Sequence, residues 1–266
     1  MSTPAPVRIG VAGALGRMGR AVAAVTRARS GADLGSLFDR AERAGESIDG
    51  VTLTGLEQAL AASDAIIDFS TPAASVALAQ AAAARGDPAL VIGTTGLSEA
   101  DLAAIAEASR RVAIVRSGNF SLGVNMLMGL VEQAARALGE TDWDIEVFEA
   151  HHRRKVDAPS GTALMLGEAA ARGRDVALET VAVRARDGIT GPRPVGAIGF
   201  SVMRAGGIIG EHSVTFAADE EIITLAHSAR DRSLFAKGAL SAAIWAADKP
   251  PGLYDMMDVL GFTAQI

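Results

Sequence analysis

The chain has 266 residues, 49% hydrophobic and 21% charged, the balance of a folded globular protein of one or two domains and not of a disordered segment. A net charge of −6 with no basic run speaks against nucleic acid or an anionic membrane surface as a partner, and no apolar stretch nears the roughly 20 residues that cross a bilayer. With no cysteine there are no disulfides, thiolate chemistry, iron–sulfur clusters or cysteine-type zinc sites, so the four histidines become the residues worth locating.

Taken in chain order, the first half reads as strand-then-helix units. Residues 7–13 form a short apolar strand, followed by a glycine turn and a helix with Met18, Val22 and Val25 at i, i+4, i+7. A second strand is expected over 32–38. Another, over 65–69, breaks into Ser70-Thr71-Pro72, a hydroxyl cap ahead of a proline at a helix start, and the alanine-rich 73–85 is that helix. A strand over 90–93 leads to Ser98-Glu99-Ala100-Asp101, which has capping-box spacing, and 112–115 is a further strand. Such alternation predicts right-handed crossovers and a mostly parallel, doubly wound α/β sheet.

After about Ser121 the pattern changes. One amphipathic helix covers 124–138, and extended runs follow at 144–151, 180–185, 197–204, 208–217 and 221–227, with a helix over 162–172 among them and a last helix over 234–246. These runs are longer and alternate more than the earlier strands, as in an open mixed sheet with one covered face. The second half is thus an α+β domain, and helices are too few to cover both faces of its sheet, so another subunit is the natural cover. The start, 1–8, has no basic-then-apolar leader pattern, and the expectation is a cytoplasmic protein.

Chemistry concentrates in two places. The first strand-turn-helix carries Gly13-Ala14-Leu15-Gly16-Arg17-Met18-Gly19. Glycines three apart permit a tight turn, close approach to a pyrophosphate and close helix packing, with the helix N-terminus facing the anion. Asp39 lies 20 residues past Gly19, where a Rossmann-type dinucleotide site wants an acid for the adenosine ribose. Arg40 next to it suits a 2′-phosphate, so the pair predicts use of both NADH and NADPH. Gly93-Thr94-Thr95-Gly96 and Ser117-Gly118-Asn119-Phe120 fall at later strand ends, on the ligand-binding edge of such a sheet.

The second concentration is Glu149-Ala150-His151-His152-Arg153-Arg154-Lys155-Val156-Asp157-Ala158-Pro159-Ser160-Gly161-Thr162-Ala163. Five basic or imidazole side chains in a row are costly unless an anion sits nearby, and Pro159-Ser160-Gly161-Thr162 reads as a helix start whose N–H groups and hydroxyls suit a carboxylate. The bland alternative is a solvated basic loop. No metal site is expected, because His151 and His152 point to opposite faces of an extended segment. His212 and His227, in apolar strand patterns, read as structural histidines, and no Gly-x-Ser-x-Gly elbow supports a hydrolase.

This fifteen-residue run resembles the signature of the 4-hydroxy-tetrahydrodipicolinate reductase family, also called dihydrodipicolinate reductases. The likeness extends to Gly16-Arg17-Met18-Gly19, the Gly-Thr-Thr-Gly loop, Asn119-Phe120-Ser121 with Gly123-Val124-Asn125, and Gly210-Glu211-His212. It implies reduction of a cyclic imine dicarboxylate in the diaminopimelate branch of lysine biosynthesis, with NADH or NADPH as cofactor. It implies His151 and Lys155 as proton-handling groups, with His152, Ser160, Gly161, Thr162 and Arg232 on the substrate. Gly13 to Met18, Asp39, Arg40, Gly93, Thr94, Thr95 and Ser117 to Phe120 are implied for the cofactor. It further implies a dinucleotide-binding domain over 1–122 and 233–266, a substrate-binding and tetramerisation domain over 123–232, and a homotetramer. Gly207 departs from the acid more usual in its turn. The rivals are another reductase of amino-acid metabolism, such as an aspartate or homoserine dehydrogenase, and a non-catalytic dinucleotide sensor; a sensor has no need of the proton donors at His151 to Lys155.

Overall fold

A computed structural model describes residues 5–262; the expectation of no leader rests partly on residues 1–4, which lie outside them. The chain divides into two compact units, one running to Leu122 and resuming at Ser233, the other Gly123–Arg232.

In the first unit, β1 (Val7–Ala12) is followed by α1 (Arg17–Ala28) and β2 (Ala32–Phe38). A small ribbon of β3 (Ser47–Ile48) and β4 (Val51–Thr52) precedes α2 (Leu56–Ala62). Then come β5 (Ala65–Asp68), α3 (Pro72–Arg85), β6 (Ala89–Ile92), α4 (Glu99–Ala108) and β7 (Ala113–Arg116). These five strands lie parallel in the order β7-β6-β5-β1-β2. β5, β6 and β7 are four residues each and almost wholly buried, which is why their sequences are unbroken apolar runs. Odd and even positions feed two separate cores. Ile67, Val91 and Val115 pack with Val22 of α1 on one face, while Ile66, Leu90 and Ile114 pack with Leu60, Leu78 and Ile105 on the other. The caps are those the sequence predicts: Thr71 accepts from Ala74 N–H with Pro72 opening α3, and Ser98 and Asp101 form a capping box on α4.

In the second unit, α5 (Leu122–Ala137) leads from the first unit into β8 (Asp144–His151), α6 (Gly161–Gly173), α7 (Leu178–Val181), β9 (Ala182–Val183), β10 (Ile198–Arg204), β11 (Glu211–Ala217) and β12 (Ile222–Ser228). The sheet is mixed, in the order β12-β11-β8-β10-β9, with β8 parallel to β10 and antiparallel to β11. One face carries Ile145, Val147, Ile198, Phe200, Val214 and Phe216 against Leu127, Val131 and Leu166 of the two longer helices. On the opposite face, alternate residues such as Phe148, Met203, Thr215 and Ile222 are partly or fully exposed.

The chain then re-enters the first unit as α8 (Ser233–Ala246), β13 (Gly252–Tyr254) and α9 (Met256–Leu260). β13 adds a sixth parallel strand beside β7, and α8 lies on the α1 face through Ala236, Ala239 and Ala243. Its approach is so close that a side chain at Gly238 would strike the Phe120 carbonyl.

The structure corrects two of the sequence expectations in this region. The run 180–185 is not one strand: Thr180 closes a turn on Ala177 through its backbone N–H and its hydroxyl, and pairing is confined to Ala182–Val183. The run 208–217 pairs only from Glu211, because Gly206 and Gly207 turn the chain first, Gly206 with φ of +48°. The departure at Gly207 therefore falls in a turn whose unusual backbone is taken by its glycine neighbour.

Candidate active site

The glycine turn of the first unit is built by close approach. Gly13 has φ of +67°, and a side chain there would sit 2.9 Å from the Phe69 carbonyl oxygen. A side chain at Gly19 would collide with the Gly13 carbonyl, so α1 can lie against the turn only with glycine at that place. α1 has no acidic residue in its first turn, and its cap, Gly16, supplies no side-chain bond, which leaves helix N–H groups for an anion. Leu15 N–H donates to Asp39 Oδ2 at 3.0 Å, and Ala14 N–H to the Phe38 carbonyl at 3.1 Å, fastening the turn to the end of β2.

Two cavities open along the carboxyl edge of this sheet. One, of about 770 Å³, is lined by Gly13, Leu15, Gly16, Asp39 and Arg40 together with Ser70 and Thr71. The other, of about 330 Å³, is lined by Met18, Gly93, Thr94, Thr95, Gly118, Asn119 and Phe120 with Phe69 and Ser70. Ala14 and Ser117 line neither: Ala14 is buried, and the Ser117 hydroxyl donates to the Asn119 carbonyl at 2.8 Å, shaping the loop from within. Arg17 is exposed at the head of α1 and also lines neither. Phe69, Ser70 and Thr71 are residues that the sequence reading treated only as a strand end and a cap. Ser70 borders both cavities, and among the described residues its buried hydroxyl oxygen has no partner, a polar group that a bound dinucleotide would satisfy.

Beneath this edge Asp68 is fully buried at the end of β5. Burial pushes its carboxyl up, opposed by hydrogen bonds from Ser70 and Ser75 and the nearby Thr94. Ser70 N–H donates to Asp68 Oδ1 at 3.0 Å and to Thr94 Oγ1 at 3.1 Å, so the loops after β5 and β6 are held by one buried polar cluster. A glycine-rich turn, an acid at the end of β2, two cavities and an orphaned hydroxyl fit a dinucleotide.

The second unit carries the basic run at the end of β8. Glu149 and His151, two apart on a strand, share the face covered by α6, and the register sets Glu149 beside His212 of β11 and His151 beside Arg204 of β10. The Glu149 side chain is 1% exposed. Its carboxylate meets His151 Nδ1 at 2.6 Å, accepts two bonds of 2.7 Å from the Arg204 guanidinium, and accepts Ser160 N–H at 2.9 Å. Burial alone would raise Glu149, but the bonds from Arg204, His151 and Ser160 outweigh it and hold the carboxyl below its ordinary range. Lys155 Nζ donates to Asp157 Oδ2 at 2.8 Å, which lowers Asp157, and Lys155 N–H closes the preceding turn on the His152 carbonyl.

His152 lies past the strand end. Its imidazole is pushed down by partial burial and by the charges of Arg154, Arg232 and His151. Gly161 and Thr162 open α6, and a side chain at Gly161 would enter open space. Ser160, expected on the substrate, caps the helix: its hydroxyl accepts Ala163 N–H, its own N–H serves Glu149, and it is 1% exposed. It shapes the helix start from inside. His212 lies buried in β11, in line with a structural reading. It is a buried imidazole 5.1 Å from the His151 ring and 6.2 Å from that of His227, and burial and the two neighbouring histidines push it down to about 4. Arg204 and Glu149, whose ion pair organises the cluster, carried no role in the sequence reading; their partnership depends on strand register, which spacing in the chain does not reveal.

Comparison with known proteins places both units. Profiles described as dihydrodipicolinate reductase, N-terminus, and dihydrodipicolinate reductase, C-terminus, match residues 7–120 and 123–260. The 4-hydroxy-tetrahydrodipicolinate reductase of Caulobacter vibrioides is 64% identical over 97% of this chain and 98% of its own length, and that of Rhizobium rhizogenes 53% identical over 97% and 98%. A dipicolinate-bound dihydrodipicolinate reductase from a Paenisporosarcina species shares the fold, with a TM-score of 0.77 at 20% identity over 95% of this chain and 98% of that one. The chain belongs to the 4-hydroxy-tetrahydrodipicolinate reductase family.

Proposed function

We propose that this chain reduces 4-hydroxy-tetrahydrodipicolinate (dihydrodipicolinate) to tetrahydrodipicolinate in the diaminopimelate route to lysine, as its relatives' names describe. The nicotinamide cofactor, when bound, supplies the hydride. The first unit binds it: the Gly13 turn and the α1 N-terminus take the pyrophosphate, Asp39 the adenosine ribose, and Ser70, Thr94 and Thr95 border the narrower cavity. Asp39 with Arg40 beside it supports use of both NADH and NADPH.

In the second unit, His151 and Lys155 handle the proton that must follow the hydride, while His152, Thr162 and Arg232 with the N-terminus of α6 hold the two carboxylates. The observation that carries this reading is the His151–Glu149 contact of 2.6 Å, an acid–base group held by a buried carboxylate in the basic run that leads into α6. The half-exposed face of the β8–β12 sheet supports a homotetramer assembled through these sheets. A cytoplasmic location suits a biosynthetic reductase; no helix among the described residues is long and apolar enough to cross a membrane.

The test is oxidation of NADH or NADPH that requires freshly made product of dihydrodipicolinate synthase. Oxidation indifferent to that product, or none with either cofactor, would overturn the assignment.

A further inference from the structure

We propose that Glu149 is a positioning residue for this reaction: it fixes His151 with its proton on Nδ1, so that Nε2 is the ring atom presented to substrate. The inference rests on the role given to His151 above.

The reasoning starts from the donors around one buried carboxylate. Arg204 Nη1 and Nη2 occupy Oε2 and Oε1 at 2.7 Å each, and Ser160 N–H adds a bond to Oε1 at 2.9 Å. Such a carboxylate is ionised and has only acceptor sites, so a ring nitrogen 2.6 Å from Oε2 must be the donor. His151 Nδ1 therefore carries hydrogen, and in the neutral ring Nε2 has the lone pair. Nε2 faces Gly210. A side chain at position 210 would begin 3.2 Å from it, and Gly210 leaves that space clear.

Glu149 does more than neutralise a neighbour. Arg204 Nη2 also donates to the Asp157 carbonyl at 2.7 Å, so the same ion pair fixes the loop that carries Lys155. Through Ser160 it fixes the start of α6. One carboxylate thus sets the ring orientation of His151 and the backbone that follows Lys155, as partners behind a reacting histidine commonly do.

Nitrogen-15 NMR of histidine-labelled wild type, with His151 assigned through His151→Gln, reads the tautomer without substrate or cofactor. Recorded at a pH high enough for the ring to be neutral, the expected tautomer is Nδ1–H; a dominant Nε2–H form overturns the proposal. In Glu149→Gln the carboxamide NH2 turned toward His151 should invert the tautomer. It should lower kcat by roughly 10–100-fold, the range seen when a supporting partner is removed, with KM changed by less than about threefold. In the His151→Gln background the same change should cost less than about threefold, because its effect acts through that ring. An undiminished loss in that background would mean a purely structural role and would overturn the proposal. If Glu149→Gln fails to melt cooperatively, the wild-type tautomer decides alone. Failure of the reductase reading itself would show separately, as wild type inert toward the synthase product.

Discussion

The Leu15 backbone N–H donates to Asp39 Oδ2 at 3.0 Å, joining the glycine turn to the end of β2. The other oxygen, Oδ1, accepts Arg40 N–H at 2.9 Å. Asp39 thus braces the glycine turn, and in the function proposed above the same carboxylate also accepts from the adenosine ribose.

Asp39→Ala should weaken both cofactors. Loss of one charge-assisted bond is worth about 1.5–3 kcal/mol, so kcat/KM with NADH should fall by roughly 10–100-fold. NADPH should also lose, though less, because removing the acid relieves repulsion of its 2′-phosphate while the slackened turn still costs binding. Steady-state kinetics with both cofactors checks this; a gain for NADPH above wild type would show that the brace is unimportant.

Arg40 stands 70% exposed, with Nε 3.8 Å from Asp39 and 3.6 Å from Glu42. Arg40→Ala should lower kcat/KM for NADPH by about tenfold or more and leave NADH within about threefold. Glu42→Gln should move the other way, favouring NADPH, by removing one of the two acids that draw on this guanidinium. An unchanged NADPH-to-NADH ratio in Arg40→Ala would mean that the 2′-phosphate is read elsewhere.

His151→Gln and Lys155→Ala should each lower turnover by about 10² or more, the usual range for acid–base groups. Both variants should fold, since neither side chain belongs to the apolar core and the ion pair of Lys155 is with the half-exposed Asp157. Near-normal kcat in both would remove these residues from the chemistry.

Stability should fall with acid in a window set by His212. Its value is about 4 in the folded chain against about 6.5 unfolded, so between these pH values the unfolded chain holds the extra proton. The folded state should therefore lose about 2 kcal/mol between pH 7.5 and pH 5 from this group. His212→Phe should abolish that part of the loss. Thermal melts of the two proteins at both pH values check it; equal acid sensitivity would mean that His212 protonates freely when folded.

Light scattering should report about four chain masses. Met203→Glu, which places a charge on a side chain 46% exposed on the open sheet face, should shift the assembly toward smaller species. A wild-type monomer at micromolar concentration would defeat the assembly proposed above.

Much of this was legible in the chain. Strands such as Ala65–Asp68 and Ala113–Arg116 are buried on both faces and so spell themselves out as apolar runs, and Thr71-Pro72 and Ser98 mark their helices by local bonds. What stayed hidden depends on partners. Gly252–Tyr254 is a strand only because β7 offers an edge, and the seven residues of Leu56–Ala62 are too few for a helical period to stand out. The Glu149–Arg204 pair and the nearness of His212 to His151 come from a register between strands far apart in sequence. The glycine turn and the basic run could be read because each is local.

The order in which the chain is made gives the placement of α8 a further consequence. Ile67, Val91 and Val115 emerge early from the ribosome, but Ala236, Ala239 and Ala243 emerge only after the whole of Gly123–Arg232 has been synthesised. At about 5–20 residues per second that interval is on the order of ten seconds. Throughout it one face of a parallel sheet has lost part of its helical cover, and the edge later taken by β13 is open. A message truncated within the second unit would yield a chain in which that face keeps only the cover of α1 and its neighbours, with the place of α8 left open.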